Sequence, residues 1–302
     1  MQASADSDPR VPLHISKGGP SWPRGLVHIP SPPDELWALG KADLLGARPC
    51  IAIVGTRSPS EYGRAQALRF GERLARAGMC VISGLARGID SAAHEGALAA
   101  GGATIAVLGS AVDQPWPRGP LTDQVAREGL LLSEYPPGTG VRRHHFPMRN
   151  RLISGLSDAV LVVEAAHASG SLITARWAAD QGRDVFVVPG RVDHPMARGC
   201  LRLVREGATP VGSPEQLLED LYGFQMAPQD GGGAPCPPGG GAGALLRALE
   251  GETLCVDELA QTLGRRVDAT LSLLVQLDLE GWVRRGPGGL YGLLRQLPAR
   301  EG

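Results

Sequence analysis

The feature that most constrains the fold is a repeated series of short apolar runs, each followed by a glycine-containing turn. Seven such runs occupy residues 50–55, 79–84, 103–109, 129–134, 159–165, 184–190 and 208–213. In most of them both the odd and the even positions are apolar, which is typical of strands that are covered on both faces of a sheet. Helical patterns lie between several of them, at residues 61–78, 88–101, 171–182 and 213–223. This order predicts an α/β fold with a Rossmann-like, doubly wound and mostly parallel sheet.

The carboxyl-terminal part has a different composition. Residues 225–243 are nearly all Gly, Pro, Ala and short polar residues, which is typical of a linker. Residues 244–302 contain three helical periods and a hairpin with a Pro-Gly-Gly tip, which predicts a small winged-helix domain. We therefore expect a leader at 1–21, a sheet domain at 22–224, the linker, and the winged-helix domain.

Charge and hydropathy limit the classes of function. The net charge of −1 means that any nucleic acid must be bound through a local basic patch. No apolar run approaches the roughly 18 residues of a membrane span, and the first residues lack the pattern of a signal peptide, so we expect a cytoplasmic protein without membrane contact. The five cysteines form no C-x-x-C pair, which favours neither a disulfide framework nor a zinc site.

Three strand-to-helix turns combine glycine with polar side chains. They contain Gly55, Thr56 and Arg57 in the first turn, Ser83, Gly84, Arg87 and Gly88 in the second, and Ser169, Gly170 and Ser171 in the third. A helix N-terminus stabilises a phosphate or carboxylate through its free N–H groups and partial positive charge. Any one turn, taken alone, is better explained by a tight turn with an N-cap residue. Three in one sheet, two of them with arginine, favour anion binding.

The familiar nucleotide-binding motifs are missing from the sequence. It contains no G-x-x-x-x-G-K-[ST], and no G-x-G-x-x-G follows the first of these runs. A P-loop ATPase and dinucleotide redox chemistry are therefore disfavoured, and we expect no cofactor.

The densest basic stretch, residues 141–155, precedes the run that leads to Ser169. It contains Arg142, Arg143, His144, His145, Arg149 and Arg151 around Phe146. Charges for phosphates and a flat ring for a base suit single-stranded nucleic acid. The alternative is a solvated basic loop with Phe146 buried.

Candidates for acid–base chemistry are few. Asp90, His94 and Glu95 form a weak ligand set, because Asp90 is better explained as a helix-capping residue, and we expect no metal. Glu164 lies at the carboxyl end of the predicted strand at residues 159–165 and is a possible general base. A carboxylate that faced a phosphate without a metal would repel it, so we expect an arginine as the partner of Glu164 and interpret Glu164 as a positioning residue.

Six ordered segments of the chain resemble the bacterial DNA-processing protein A (DprA, or Smf) family. They include "IAIVGTRSPSEYG", "VISGLARGIDSAAHEGAL", "TIAVLGSAVDQPWP", "LLSEYPPGTG", the long stretch from "FPMRNRLISG" to "DVFVVPG", and "GCLRLVREGA". The resemblance implies a homodimeric, non-enzymatic recombination mediator that binds single-stranded DNA and helps load the RecA recombinase on DNA taken up in natural transformation.

The resemblance also implies a set of DNA-binding residues. Carried over by position, they are Gly55, Thr56, Arg57, Arg142, Arg143, Phe146, Arg149, Asn150, Arg151, Ser169, Gly170, Ser171 and Thr174. Members of the family often have a lysine in the basic loop, where this chain has only arginines and histidines.

Two questions of function stay open in the sequence. A related Rossmann-like family hydrolyses nucleoside monophosphates, but Thr174 stands where the catalytic glutamate of that family would fall. In the winged-helix domain, Asp268, Asp278 and Glu280 on the third helical segment oppose phosphate contact, which favours a protein-contact role. Arg284 and Arg285 on the wing leave DNA binding as the alternative.

Overall fold

The computed structural model describes residues 11–46, 49–223, 240–249, 253–279, 282–285 and 289–293 of the chain. The chain divides into two compact units, one up to Gly223 and one from Phe224 onward. The first unit is an α/β sheet domain, and the second is a small domain of helices and a hairpin.

The sheet of the first unit has nine strands among the described residues. In chain order, β1 to β9 are Leu13–Ser16, Glu35–Gly40, Cys50–Val54, Cys80–Ser83, Thr104–Val107, Leu130–Ser133, Ala159–Val162, Asp184–Val187 and Thr209–Pro210. Their spatial order is β1-β2-β6-β5-β4-β3-β7-β8-β9. Every neighbouring pair in the spatial series β6-β5-β4-β3-β7-β8-β9 is parallel. Strands β1 and β2 extend the sheet beyond β6 as an antiparallel edge.

Helices connect the parallel strands and cover both faces of the sheet. In chain order, α1 to α7 are Glu61–Arg76, Ile89–Ala99, Pro120–Glu128, His145–Gly155, Ser171–Asp180, Arg198–Arg205 and Pro214–Tyr222. Ala52 and Val54 of β3 pack into the core on one face of the sheet, and Ile51 and Ile53 pack into the core on the other. The two-residue alternation of a strand therefore supplies two cores, which is why these strands are apolar on both sides.

The predicted Rossmann-like, mostly parallel sheet is confirmed, but its amino-terminal edge differs from the prediction. Residues 13–16, which we assigned to a leader, form β1 and pair with β2, and Ile15 is buried in the core. Neither strand was predicted. A four-residue strand next to a Gly/Pro-rich stretch leaves too short a pattern to recognise.

The second unit has the helices and hairpin of the predicted winged-helix domain. Helices α8, α9 and α10 are Gly240–Ala248, Val256–Leu263 and Val267–Leu279, and strands β10 and β11 are Val283–Arg285 and Tyr291–Leu293. A core that includes Leu246, Leu259, Leu274 and Trp282 joins them. Helix α8 starts inside the predicted linker, residues 225–243. Residues 225–239 of that linker lie outside the described part of the chain.

Candidate functional site

A cleft of about 500 Å³ lies at the carboxyl ends of β3, β4 and β7. The strand order reverses between β3 and β7, the place where open α/β sheets bind ligands. The residues that line it come from the first turn, the start of α2, helix α4 and the start of α5. They are Val54, Gly55, Arg57, Ala86, Asp90, Phe146, Pro147, Arg149, Asn150, Ile153, Ser169, Gly170, Ser171, Ile173 and Thr174.

Glycine at position 88 allows the first two turns to approach each other. Its φ of +91° favours glycine, and a Cβ atom there would lie 2.9 Å from the carbonyl carbon of Arg57. The backbone N–H of Ile89 donates to the carbonyl oxygen of Thr56 over 3.2 Å. The start of α2 is thus joined to the turn that carries Arg57.

Arg149 provides a buried positive charge in the wall of the cleft. Only 4% of the residue is exposed, and its Nη1 donates to the carbonyl oxygen of Val107 over 2.7 Å. Burial lowers the pKa of Arg149 to about 10, while the charge of Asp90 raises it. The guanidinium therefore stays protonated at neutral pH.

Asp90 lies beside Arg149 at the start of α2. Its Oδ2 accepts a hydrogen bond from the backbone N–H of Gly84 over 3.1 Å. Burial raises the pKa of Asp90, and the positive charge of Arg149 lowers it. From the sequence we interpreted Asp90 as a capping residue or a weak metal ligand. Its position in the cleft could not be predicted, because its partner Arg149 follows 59 residues later in the chain.

Two guanidinium groups, those of Arg57 and Arg149, lie near the ring of Phe146. The guanidinium carbon of Arg149 lies 5.4 Å from the centre of the Phe146 ring, and that of Arg57 lies 5.8 Å from it. Both distances suit a cation–π contact. Arg57 is exposed and comes from the first turn, whereas Phe146 and Arg149 lie one turn apart on α4.

The start of α5 forms another part of the wall of the cleft. The hydroxyl groups of Ser169 and Ser171 lie 2.7 Å apart, and Asn150 Nδ2 donates to the carbonyl oxygen of Gly170 over 3.3 Å. Leu172 and Ile173 already donate their backbone N–H groups to the carbonyl oxygens of residues 169 and 170. Hydroxyl and side-chain donors therefore supply much of the polarity of this wall.

Two predicted residues, Thr56 and Glu164, hold the first turn in place without lining the cleft. The backbone N–H of Thr56 donates to the carbonyl oxygen of Glu164 over 2.7 Å. The carboxylate of Glu164 accepts from the backbone N–H and the hydroxyl of Ser60, over 2.9 and 2.5 Å. The expected arginine partner of Glu164 is therefore wrong: its partner is Ser60, the N-cap residue of α1, so this carboxylate fixes the start of that helix.

The predicted basic loop is wrong for residues 145–155, which form α4. Pro147 is tolerated there because it lies in the first turn of the helix, where its missing N–H costs no helical hydrogen bond. Arg151 points away from the cleft. Its guanidinium donates to the carboxylate of Glu134 over 2.9 and 2.5 Å and to the carbonyl oxygen of Ser31 over 2.8 Å. Arg142 and Arg143 are exposed before α4 and do not line the cleft.

The described part of the chain contains no group of three His, Cys, Asp or Glu side chains that could hold a metal ion. Within those same ranges, no helix is both long and apolar enough to cross a membrane.

Fold and cleft together define a class: a Rossmann-like α/β domain with a cationic, aromatic cleft at the switch point of its sheet, followed by a winged-helix domain. The model of the DNA recombination-mediator protein A family matches residues 14–222, and that of the DprA winged helix domain matches residues 232–289. The chain belongs to the DNA recombination-mediator protein A family, as the sequence resemblance predicted.

Similar proteins and solved structures agree with this assignment. Protein Smf of Synechocystis is 36% identical over 93% of this chain and 80% of its own length. DNA processing protein DprA of Bacillus subtilis is 43% identical over 68% of this chain and 69% of its own length. The X-ray structure of DprA from Streptococcus pneumoniae is similar with a TM-score of 0.66 and 40% identity, covering 69% of this chain and 74% of that one.

A second similar structure is described as showing the single-stranded DNA binding mode of DNA processing protein A from Helicobacter pylori. Its TM-score is 0.63 at 29% identity, and the match covers 70% of this chain and 97% of that one.

Proposed function

We propose that this protein binds single-stranded DNA in the cleft and, without catalysing a reaction, helps load the RecA recombinase on incoming DNA in natural transformation. The observation that carries the proposal is the convergence of Arg57 and Arg149 on the ring of Phe146. The Helicobacter pylori relative, whose structure concerns single-stranded DNA binding, supports the choice of ligand.

The chemistry of the cleft suits a DNA strand. Arg57 is exposed and free to form charge-assisted hydrogen bonds with a phosphate, and the buried charge of Arg149 adds attraction in a poorly solvated wall. Asn150 and the hydroxyls of Ser169 and Ser171 offer further donors to the sugar-phosphate backbone. Phe146 provides an apolar ring beside these donors, on which a base of any identity packs.

A non-catalytic role is supported by the surroundings of two residues. The carboxylate of Glu164 is engaged by the N–H and hydroxyl of Ser60, so it serves α1 rather than a water molecule. Thr174, at the position of the catalytic glutamate in nucleoside-monophosphate hydrolases, has no acid to offer. The hydrolase alternative predicts free base and ribose phosphate from nucleoside monophosphates, lost in Glu164→Gln.

The loading role is tested by RecA filament assembly on DNA covered by a single-strand-binding protein. The unmodified protein should shorten the lag before RecA hydrolyses ATP, and Arg57→Ala should restore the lag. Lys17→Ala, which removes a charge on the far amino-terminal edge, is the matched control and should behave as the unmodified protein does. An unchanged lag with and without the protein would contradict the loading role.

We also propose that the protein acts as a homodimer. Of the apolar residues that the sequence offers after β8, Leu203, Leu217 and Leu218 are buried in the cores of the sheet domain, and half-buried Val204 packs against one of them. Leu201 is half-buried and belongs to neither core, so it is the better candidate for a contact between copies. A mass measurement over a range of protein concentrations, on the unmodified protein and on Leu201→Glu, tests this proposal.

For the winged-helix domain we propose a protein-contact role. The outer face of α10 presents exposed Val267, Leu271 and Val275 at four-residue spacing, together with exposed Asp268 and Asp278. Arg266 is paired with Asp268 over 3.1 Å. An apolar and acidic face does not suit duplex DNA, so duplex binding that is lost in Arg284→Ala/Arg285→Ala would overturn this role.

A further inference from the structure

An exposed tryptophan lies in the loop that follows β5. Trp116 is 51% exposed, whereas Trp22 and Trp282 are almost fully buried and Trp37 and Trp177 are half-buried. Single apolar side chains are often exposed on a folded domain, so Trp116 is of interest for its position and its charged neighbours rather than for its exposure alone.

Two consecutive residues, Gly109 and Ser110, link Trp116 to the proposed DNA cleft. Gly109 packs against Phe146: a Cβ atom at Gly109 would lie 3.0 Å from Phe146 Cδ1. The next residue, Ser110, accepts a hydrogen bond at its Oγ from the backbone N–H of Trp116 over 3.0 Å. These short steps place the backbone of Trp116 on the order of 10 Å from the Phe146 ring.

The loop that carries Trp116 is held in place on both sides. The backbone N–H of Ala111 donates to the carbonyl oxygen of Thr139 over 3.3 Å, and the carboxylate of Asp113 accepts from the N–H of Gly138 over 2.9 and 3.1 Å. After the tryptophan, Thr122 Oγ1 donates to the carbonyl oxygen of Pro117 over 2.7 Å. We call residues 110–118 and 135–144 the shelf. A fixed shelf presents the indole without a large ordering cost.

The charge of the shelf indicates what covers the indole. Its exposed charged side chains are Asp113, Arg118, Arg142 and Arg143, so three arginines stand against one carboxylate. Within the described ranges, no ion pair engages any of the three arginines. An aromatic ring beside unpaired arginines matches the needs of a single strand, whose bases stack and whose phosphates attract cations.

We propose that Trp116 is a second base-stacking residue for single-stranded DNA, on the shelf next to the cleft. The proposal rests on the proposed function, because the strand that Trp116 contacts is the one held at Phe146. It also gives a role to Arg142 and Arg143, which the sequence assigned to DNA and which the structure places outside the cleft. The indole of Trp116 stands half in solvent and adds a second ring to the one that Phe146 offers to a base.

Binding to two 20-nucleotide strands tests the stacking directly, one of oligothymidine and one abasic. Trp116→Ala should bind oligothymidine about 5- to 150-fold more weakly than the unmodified protein and should bind the abasic strand equally well. Trp116→Phe should restore most of the affinity. Equal affinity of Trp116→Ala for oligothymidine would overturn the proposal and favour a protein contact. An equal loss on both strands would overturn stacking as the cause.

Tryptophan fluorescence gives a second readout that does not depend on affinity. Saturation with oligothymidine should quench the emission of the unmodified protein, and most of that quenching should disappear in Trp116→Phe. Trp37→Phe, on β2 at the antiparallel edge, is the matched control and should keep it. Undiminished quenching in Trp116→Phe would overturn the proposal, whereas failure of the unmodified protein to bind any strand would overturn the proposed function itself.

Discussion

Arg149 lies with its guanidinium carbon 5.4 Å from the centre of the Phe146 ring, three residues earlier on the same helix. Arg149 is buried and its Nη1 donates to the carbonyl oxygen of Val107, so the guanidinium beside the ring is held in place. Arg57 approaches the same ring from the first turn. The affinity of the cleft for an anion should therefore depend on groups that hold Arg149, as well as on groups that contact the ligand.

Gly84→Ala should disturb this arrangement. A Cβ atom there would lie 2.5 Å from Arg149 Nη2 and 2.8 Å from Asp90 Oδ2, so one or both side chains must move. We expect a loss of about 1 to 3 kcal/mol in the free energy of unfolding, measured in urea, together with weaker binding of oligothymidine. Gly46→Ala, which has open space around it, is the control and should change neither quantity. Unchanged binding by Gly84→Ala would show that Arg149 does not depend on this packing.

Arg151 and Arg57 should separate stability from binding. Arg151→Ala leaves the carboxylate of Glu134 unpaired, with only 13% of its side chain exposed, and should lower the free energy of unfolding by about 3 to 5 kcal/mol. Arg57→Ala removes an exposed side chain and should change it by less than about 0.5 kcal/mol. Urea unfolding of both variants checks this, and a stable Arg151→Ala protein with impaired DNA binding would contradict the assignment.

Glu164 should contribute to stability through the start of α1. Glu164→Ala removes the acceptor of both hydrogen bonds from Ser60 and should cost about 1 to 3 kcal/mol in the free energy of unfolding. Glu164→Gln retains one acceptor oxygen and should lose less. Glu61→Ala, an exposed acid in the first turn of the same helix, is the comparison. Equal stability of all three variants would mean that the capping contact is not required.

His94 should make stability depend on pH. Thr104 Oγ1 donates to the carbonyl oxygen of Val81, so it accepts from His94 Nδ1 over 2.7 Å. His94 Nε2 is buried without a hydrogen-bond partner among the described residues, so the neutral ring is favoured. Burial, with a smaller effect of Arg149, lowers the pKa of His94 to about 3. The unfolded chain, with its pKa near 6.5, takes up the proton first as the pH falls. This contribution to stability is therefore complete above about pH 6.5 and is lost as the pH falls toward 3.

At pH 5 the loss from His94 should reach roughly 2 kcal/mol relative to pH 7.5. His94→Asn keeps a donor for Thr104 but does not titrate, so its free energy of unfolding should fall less between these two pH values. Urea unfolding at both pH values measures the difference between the two proteins. An equal fall in both would show that the ring is protonated in the folded state.

Much of the sheet domain could be predicted because its strands are local signals. Most parallel strands are short apolar runs followed by a glycine-containing turn, and the runs at 50–55 and 159–165 fall on neighbouring central strands. Since the carboxyl ends of parallel strands share one edge, the turns at Arg57 and Ser169 lie on the same side of the sheet, and both line the cleft.

What could not be predicted depends on partners distant in the chain. The stretch around Phe146 contains so many charges that it was interpreted as a loop, whereas α4 buries Arg149 and Arg151. Arg149 is buried against Val107 and Asp90, and Arg151 against Glu134 and Ser31. No count of charges in a segment reveals which of them meet a carboxylate or carbonyl elsewhere in the fold.

The most direct test of the account is the salt dependence of single-stranded DNA binding. The logarithm of the association constant for oligothymidine should fall linearly with the logarithm of salt concentration, with a slope of about −0.7 for each phosphate neutralised. Arg57→Ala should bind more weakly at low salt and show a slope shallower by about 0.7. Affinity and slope that equal those of the unmodified protein would contradict the placement of the DNA strand in this cleft.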